Sequence, residues 1–457
     1  MFIAREIELK KLKEEFLSPK KTAILVYGKR RIGKSTLIAE ASKNYSGLVI
    51  NHLCIQSSFE GNMRMLSRSI CRSFNLPDIQ FSALPDVFDF IKKQGKDILI
   101  ILDEYQYMKQ SLSKYEVDSI MQSIIDRLPP NIKLVLCGSY ITVMRELMEE
   151  ANPLFGRFST IIHLEEMDYY DASGFFPLKN VNEKIAYYAI FGGSPYVLSA
   201  LDYSATIEEN IKKLLLPHTS VLRTYIENIM LKEIQKAYDV RIFEILGNGK
   251  KKYSEIRNAL GLHETGNLDK QLKNLLTMES VTKAFPVNKP DDRKKQFYEI
   301  KDNLMRFYFA FIFGNETVIE RLGEDAFFEN YISTSFIQFI SRRFESIVLQ
   351  YFRRSVRSGR IKGILDFGTY WYDDPARRKN GEFDCVIKTK SGYDFYECKY
   401  YTNPMSEKEC IQEEKQLKEI QGISSSSIGF VCSSGFQFNT DRYQLIKGTD
   451  LYYPESQ

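Results

Sequence analysis

A glycine-rich stretch near the N-terminus has the residue types and spacing to bind the phosphates of a nucleotide. Gly28 and Gly33 enclose four residues and are followed by Lys34 and Ser35, which is the pattern G-x-x-x-x-G-K-S. Glycines allow backbone N–H groups to close around a phosphate, a lysine neutralises its charge, and a hydroxyl can bind Mg²⁺. The stretch therefore predicts binding of ATP and Mg²⁺ through these four residues and Thr36.

Two carboxylates at the end of an apolar run could complete the chemistry of phosphate hydrolysis. Residues 97–102 have the length and composition of a buried strand, and Asp103 and Glu104 follow directly. Ligands bind at the carboxyl ends of the strands in open α/β sheets, so both side chains should lie near the phosphates. We expect Asp103 to hold Mg²⁺ and Glu104 to polarise the attacking water. The alternative is a solvated strand end without a function.

Two further polar residues lie in the same half of the chain. Ser139 ends the apolar run 132–138, where it could sense the γ-phosphate, and Arg157 lies in the turn 153–157. An arginine supplied by a neighbouring subunit can neutralise charge in the transition state of phosphoryl transfer, so Arg157 suggests a homo-oligomer. A solvated arginine is the alternative for this residue.

A sheet and its helices must bring these residues together. Apolar, β-branched runs predict strands at 22–26, 48–50, 97–102 and 132–138, and a helix is predicted directly after the loop at 35–41. An apolar run without alternation is typical of a buried parallel strand. The glycine-rich loop then lies where a strand leads into a helix, which is the context that a phosphate-binding loop requires.

Residues 1–235 resemble the archaeal-type P-loop ATPase family, which is related to the AAA+ and STAND ATPases. The resemblance depends on a box at residues 2–6, on the glycine-rich loop, and on four short matches: Leu102-Asp103-Glu104, Gly138-Ser139, Phe155-Gly156-Arg157 and Gly192-Gly193-Ser194-Pro195. It implies a domain that binds and hydrolyses ATP. Ala4 replaces the glycine that is usual in the box, and Lys29, Arg30 and Arg31 make the loop unusually basic.

The C-terminal third contains a predicted β-hairpin with three charged residues on one face. A loop of residues 390–391 would place Asp384 opposite Glu397, and a loop of residues 391–392 would place it opposite Lys399. In both registers, strand alternation puts the three side chains on the same face of the sheet. Three charges on one face are costly to bury unless they bind a cation.

These charges have the chemistry of a divalent-metal site. We expect Asp384 and Glu397 to bind Mg²⁺, Lys399 to position or activate the attacking water, and Glu345 from the preceding helix to complete the shell. The arrangement resembles the PD-(D/E)xK nuclease fold, and residues 325–457 resemble the C-terminal domain that is often attached to this ATPase family. A plain edge hairpin with cross-strand ion pairs is the alternative.

Two features suggest DNA as a partner. Residues 341–380 contain 10 basic and 4 acidic residues by direct count, which suits a phosphate backbone or a solvated face. Residues 238–300 predict three helices and two strands in the order of a winged helix, whose helix at 267–276 could enter a DNA groove. Because that helix also contains Asp269, docking to a protein is an equal alternative.

Length and composition limit the other possibilities. A chain of 457 residues with 44% hydrophobic residues can bury several cores, and the predicted domains are 1–175, 176–235, 236–305 and 306–457. The seven cysteines have no C-x-x-C spacing, which argues against a disulfide framework or a zinc site. No apolar run is long enough to span a bilayer, so we expect a cytoplasmic protein without a membrane partner.

The expected fold is α/β: a P-loop NTPase parallel sheet with a helical extension, then a winged helix, then an α/β nuclease-like domain. The leading hypothesis is an ATPase that couples nucleotide state to a metal-dependent, nuclease-like domain acting on DNA. One alternative is a STAND-type switch whose C-terminal domain binds a partner without cleavage. Another is a nucleotide-regulated scaffold or chaperone, which needs no metal site in that domain.

Overall fold

The chain divides into two compact units, which are described separately. The computed structural model describes residues 2–109, 115–231, 238–261, 266–374, 379–418 and 425–453. The first unit consists of Met1–Glu166 with Ser194–Tyr196, and the second of Met167–Gly193 with Val197–Gln457. Among the helices described, none is both long and apolar enough to cross a membrane. The division into four domains stays a prediction.

The first unit is built on a sheet of five strands. They are β1 (Thr22–Tyr27), β2 (Leu48–Leu53), β3 (Ile98–Asp103), β4 (Ile132–Gly138) and β5 (Thr160–His163). The strands are ordered β2-β3-β4-β1-β5, and every neighbouring pair is parallel. The predicted parallel α/β sheet is therefore confirmed.

Both faces of this sheet are covered by apolar side chains. Every residue of β1, β3 and β4 is buried, and along β1 the side chains alternate between two clusters: Ala23 and Leu25 belong to one, Ile24 and Val26 to the other. Because the faces are filled, the polar side chains at the strand ends are the ones that can reach a ligand. The α-helices of this unit are Glu6–Leu17, Lys34–Ser42, Phe59–Phe74, Leu84–Lys93, Glu116–Asp126 and Ile141–Glu146, with a 3₁₀ turn at Tyr105–Lys109.

The chain beyond β5 is mainly helical up to residue 357 and includes one small sheet. Strands β6 (Lys251–Lys252), β7 (Val281–Ala284) and β8 (Phe297–Ile300) form an antiparallel sheet in the order β6-β8-β7. The α-helices are Tyr169–Ala172, Val181–Phe191, Pro195–Ser199, Ile207–Leu214, Val221–Tyr225, Arg241–Gly247, Tyr253–Ala259, Gly266–Thr277, Asn303–Phe307, Glu316–Phe327 and Ser333–Arg357. The three helices and two longer strands expected for residues 238–300 are present in that order.

A mixed sheet of five strands follows. It contains β9 (Ile364–Asp374), β10 (Lys379–Thr389), β11 (Tyr393–Lys399), β12 (Ser425–Cys432) and β13 (Gln444–Lys447), ordered β13-β12-β11-β10-β9. Strand β10 runs antiparallel to both β9 and β11, whereas β11, β12 and β13 run parallel to one another. The helix Ser333–Arg357 packs against this sheet through aromatic rings, such as those of Phe352 and Tyr396, whose centres are 4.9 Å apart. A further helix, Glu407–Lys418, connects β11 to β12.

Candidate functional site

The glycine-rich loop joins β1 to the following helix and encloses an ammonium group. Gly28 has a φ of +153°, and an added Cβ would lie 2.1 Å from the carbonyl oxygen of Leu164, so a larger residue does not fit there. Gly33 has a φ of +89° and caps the helix. Lys34 is buried, and its Nζ donates to the carbonyl oxygens of Gly28 at 2.9 Å and Lys29 at 2.7 Å. Burial lowers the pKa of Lys34.

Ser35 and Asp103 meet at the mouth of this loop, although they lie on different elements. The Ser35 hydroxyl donates to Oδ2 of Asp103 at 2.6 Å. Asp103 is buried at the end of β3, whereas Ser35 and Thr36 are exposed in the first turn of the helix. Hydroxyl and carboxylate oxygens are ligands that Mg²⁺ prefers, and the start of a helix favours phosphate. These donors fit a magnesium–nucleotide complex.

Glu104 and Ser139 lie beside this pair and share a third residue, Gln106. The Ser139 hydroxyl donates to Oε2 of Glu104 at 2.7 Å, and the Gln106 amide donates to Glu104 and, at 3.3 Å, to Ser139. Glu104 has a φ of +53°, an uncommon conformation for a residue other than glycine and one that clusters at functional sites. The structure thus brings together five polar residues that were predicted for this site: Lys34, Ser35, Asp103, Glu104 and Ser139. Gln106 was missed, although its position two residues after the acidic pair was an available signal.

Aromatic residues hold two of the basic side chains of the loop. Arg30 Nη2 donates to the hydroxyls of Tyr107 at 2.9 Å and Tyr140 at 2.8 Å. The guanidinium of Arg31 lies 3.8 Å from the centre of the Tyr196 ring. The sequence pattern did not indicate these tyrosines. Through these contacts the tyrosines fix the positions of both arginine side chains within the loop.

Arg157 has a partner within its own chain. Its Nε lies 3.2 Å from Oδ1 of Asp126, and its Nη1 donates to the carbonyl oxygen of Phe155 at 3.2 Å. Among the described residues, no hydrogen bond or ion pair connects Arg157 with Glu104 or Ser139. Its predicted role across a subunit boundary stays a prediction.

In the second unit, the hairpin of β10 and β11 has the first of the two predicted registers. Val386 pairs with Phe395, as a loop of residues 390–391 requires. The paired residues end at Val386 and Phe395, so the position of Asp384 opposite Glu397 stays a prediction. A bulge in the pairing of β10 with β9 lies at the same level, and bulges commonly re-aim side chains beside active sites.

Glu345 approaches Asp384 from the helix Ser333–Arg357, which packs on this sheet. Burial, the charge of Asp384 and a hydrogen bond to its side chain raise the pKa of Glu345 to about 9, with a further contribution from Glu397. Burial also raises the pKa of Glu397, although Lys399 opposes the shift. The Lys399 Nζ lies 2.8 Å from Oε1 of Glu397. The four residues predicted for this site therefore converge.

Three other charged residues join them, and sequence reasoning missed all three. Lys250 Nζ lies 2.5 Å from Oδ1 of Asp384 and 2.8 Å from Oε2 of Glu382. The Lys399 ammonium is also 2.9 Å from Oε1 of Glu413. Only Glu382 had a usable signal, because it lies two residues before Asp384 on the same strand. Lys250 is 134 residues away from Asp384 in the chain, and no local pattern indicates it.

We call this group the carboxylate cluster; its members are Glu345, Glu382, Asp384, Glu397, Glu413, Lys250 and Lys399. Five carboxyl groups face two ammonium groups, so the cluster has an excess of negative charge that a divalent cation would reduce. Its oxygen donors are the type that Mg²⁺ and Mn²⁺ prefer. The oxygens of Glu345, Asp384 and Glu397 do not, however, all lie within 4.8 Å of one another. Binding of one ion by all three therefore requires side-chain movement.

The raised pKa of Glu345 predicts a pH-dependent stability in the presence of a chelator. Between about pH 4.5 and 9 the folded state binds more protons at Glu345 than the unfolded state, so the free energy of unfolding should fall as the pH rises. Glu345→Gln imitates the protonated carboxyl and should remove this contribution. We expect the Tm of Glu345→Gln minus the Tm of wild type, measured in EDTA, to increase from pH 5 to pH 9. An unchanged difference would contradict the burial of an ionisable Glu345.

The predicted basic stretch does not form one uniform surface. Arg343 lies 3.5 Å from a carboxylate of β8, and Arg354 lies 2.7 Å from Asp168. Arg377 and Arg378 lie outside the described residues. Part of the positive charge counted in the sequence is therefore used in ion pairs, which the local composition could not indicate.

Comparisons with known protein families match two separate parts of the chain. Residues 2–201 match a family described as an ATPase domain predominantly from Archaea, and residues 308–415 match a family described as archaeal and bacterial proteins of unknown function. The second match does not identify the C-terminal part as a nuclease. The protein MJECL04 of Methanocaldococcus jannaschii is 27% identical over 379 residues, which cover 81% of this chain and 82% of that protein.

Matches to solved structures were also found. The Walker-type ATPase PABY2304 of Pyrococcus abyssi has a TM-score of 0.49 at 20% identity, covering 67% of this chain and 96% of that one. The ORC2 protein of Aeropyrum pernix, in ADPNP–ADP complexes, has a TM-score of 0.47 at 14% identity, covering 70% of this chain and 95% of that one.

Proposed function

Residues 2–201 match a family described as an ATPase domain predominantly from Archaea, and on that premise we propose that this chain binds ATP with Mg²⁺ and hydrolyses it. The contact of Ser35 with Asp103 at the mouth of the loop that encloses Lys34 carries the proposal. The loop amides and Lys34 bind the β- and γ-phosphates, and Glu104 accepts the proton of the attacking water. Mg²⁺, when bound, neutralises charge on the phosphates.

The position of Ser139 supports this division of roles. Its hydroxyl donates to the carboxylate of Glu104, so it can orient that carboxylate and contact the γ-phosphate. Release of phosphate from ATP by the purified chain, measured with Mg²⁺ and with EDTA, tests the proposal. We expect release that depends on Mg²⁺. Nucleotide binding without any hydrolysis under varied salt and temperature would reduce the domain to a nucleotide-binding module.

We expect Arg157 to act on the nucleotide of a neighbouring subunit. Within its own chain Arg157 contacts Asp126. This exposed ion pair contributes only about 0–1 kcal/mol, so the Arg157 side chain can leave it to contact a phosphate of the neighbouring subunit. Hydrolysis per subunit should rise with protein concentration. Mixing Arg157→Ala with Lys34→Ala protein should restore activity that neither has alone. A rate independent of concentration in a demonstrated monomer would leave Arg157 with a structural role.

For the C-terminal domain we propose a divalent-cation site at the carboxylate cluster that acts on DNA. The convergence of Glu345, Asp384, Glu397 and Lys399 supports this assignment. Asp384 and Glu397 would hold the ion, Glu345 would assist directly or through water, and Lys399 would position the attacking water. This is the nuclease-like function that the sequence pattern suggested.

We propose that residues 238–300 form a winged helix that contacts nucleic acid. The charge of Arg293 adds to burial in lowering the pKa of Lys283, so the two side chains of this segment lie close together. Within the described residues neither forms an ion pair with an acid, which suits contact with phosphates. The Tyr253 hydroxyl donates a hydrogen bond to Asp269 on the helix Gly266–Thr277, which directs that carboxylate toward its own segment.

Asp384→Asn should weaken binding of Mn²⁺ and abolish cleavage of DNA, because it removes a charged oxygen ligand from the centre of the carboxylate cluster. Hydrolysis of ATP should stay within about twofold of wild type, because the phosphate-binding loop belongs to the first unit. The measurements are Mn²⁺ binding and incubation with linear, branched and single-stranded DNA.

The control for this variant is Asp394→Asn on the neighbouring strand β11. Asp394 accepts a hydrogen bond from Ser427 at 2.7 Å and is not a member of the carboxylate cluster. It should retain metal binding and cleavage. If wild-type protein binds Mn²⁺ but cleaves none of the substrates, the STAND-type switch, in which the C-terminal domain binds a partner, becomes the better description.

A further inference from the structure

Lys250 inserts an ammonium group into the carboxylate cluster from outside the mixed sheet. Its Nζ lies between Oδ1 of Asp384 at 2.5 Å and Oε2 of Glu382 at 2.8 Å. At these distances the ammonium forms an ion pair with each of the two carboxylates. The position between two carboxylates is thus held by a cation that belongs to the protein itself.

The Lys250 ammonium contacts only one of the two carboxylate oxygens of Glu382. The side chain is only 9% exposed, and its Oε1 has no hydrogen-bond partner among the described residues, while Oε2 of the same carboxylate contacts Lys250. A buried carboxylate oxygen without a partner is costly. An ammonium offers three donors and one charge, whereas a divalent ion offers two charges and accepts six or more oxygen ligands.

The ammonium and a divalent ion cannot occupy this position together. Mg²⁺ binds carboxylate oxygens at about 2.0–2.1 Å, so an ion on Oδ1 of Asp384 and Oε2 of Glu382 would overlap the Nζ of Lys250. Two positive charges at that separation would also repel each other strongly.

We propose that the ammonium of Lys250 occupies the cation position of the carboxylate cluster, so that a divalent ion binds there by displacing it and gains Glu382 as a further ligand. This inference rests on the metal site proposed above. Lys250 directly precedes β6, whose residues Lys251 and Lys252 pair with β8. Displacement of the Lys250 ammonium therefore breaks the ion pairs that connect the start of β6 with Glu382 and Asp384 of β10.

Titration of the full-length chain with Mn²⁺ in the absence of nucleotide, followed by EPR, tests the competition. Lys250→Met keeps the length of the side chain and removes the charge, so it should bind Mn²⁺ at least about tenfold more tightly than wild type. Lys251→Met is the matched control, because Lys251 is the next residue, is similarly half-buried and lies outside the carboxylate cluster. It should bind as wild type does.

Asp384→Asn separates a failure of this inference from a failure of the metal site. If Asp384→Asn loses binding while Lys250→Met binds no more tightly than wild type, the competition is refuted and the metal site stands. If both variants bind Mn²⁺ as wild type does, the carboxylate cluster is not a metal site and both proposals fall.

A measurement on the wild-type chain avoids dependence on the folding of Lys250→Met. Displacement exposes the ammonium, so acetylation of Lys250 by acetic anhydride, measured by mass spectrometry, should become several-fold faster with saturating Mn²⁺. Acetylation of Lys251 should change little. An unchanged rate at Lys250 when Mn²⁺ is bound would overturn the proposal.

Discussion

Lys34→Ala should weaken ATP binding by about 100-fold or more. The Lys34 ammonium lies inside the loop, 2.9 Å and 2.7 Å from the carbonyl oxygens of Gly28 and Lys29, where it can exchange these contacts for phosphate oxygens. A hydrogen bond to a charged group contributes about 1.5–3 kcal/mol, and two such bonds correspond to at least about two powers of ten in Kd. Titration with a fluorescent ATP analogue measures this loss.

Lys43→Ala is the control for Lys34→Ala. Lys43 follows the same helix, its side chain is 65% exposed, and it pairs with Glu40 rather than with the loop. Its removal should leave the Kd within about threefold of wild type. Thermal unfolding of both variants without nucleotide checks that the loop change has not destabilised the sheet. A folded Lys34→Ala protein with wild-type affinity would exclude the loop as the phosphate site.

Glu104→Gln should bind ATP normally and hydrolyse it about 100-fold more slowly or worse, since general-base catalysis contributes about 10²–10⁴ in rate. The amide oxygen can still accept the hydrogen bond that the Ser139 hydroxyl donates at 2.7 Å, so the local structure is preserved. It cannot accept a proton from water at neutral pH. Single-turnover hydrolysis and recovery of unhydrolysed ATP from the protein measure the effect.

Glu40→Gln provides a matched comparison for Glu104→Gln. Glu40 lies on the helix after the loop, where it pairs with Lys43. Its substitution should leave hydrolysis nearly unchanged. Equal hydrolysis by wild type and Glu104→Gln would show that another group activates the water, and Gln106 and Ser139 would then be the next residues to substitute.

Patterns within short segments of sequence were sufficient for β1 to β4 and the phosphate-binding loop of the first unit. The runs that form β1, β3 and β4 are apolar without interruption because both faces of this sheet are buried, and such runs can be recognised without knowing their neighbours. The G-x-x-x-x-G-K-S spacing is equally local. Because parallel strands end at one edge of the sheet, the meeting of Ser35 with Asp103 and of Glu104 with Ser139 could be expected from the ends of the runs alone.

The hairpin of β10 and β11 shows where local pattern reaches its limit. Alternation placed Asp384, Glu397 and Lys399 on one face, but two registers were compatible with the turn residues. The structure has the one in which Val386 pairs with Phe395. Register depends on which side chains pack against the neighbouring strand and helix, and that information lies outside the hairpin.

The sequence by itself therefore determined four of the five strands of the first sheet and the phosphate-binding loop, and it predicted one face for the C-terminal charges. The tertiary structure decided the ion-pair partners: Lys250 for Asp384 in the second unit, and Asp126 for Arg157 in the first. The physical reason is that apolar periodicity follows from burial of a segment's own face, whereas an ion pair needs two side chains that the fold brings within about 4 Å. For Lys250 and Asp384, 134 residues apart, folding alone brings them together.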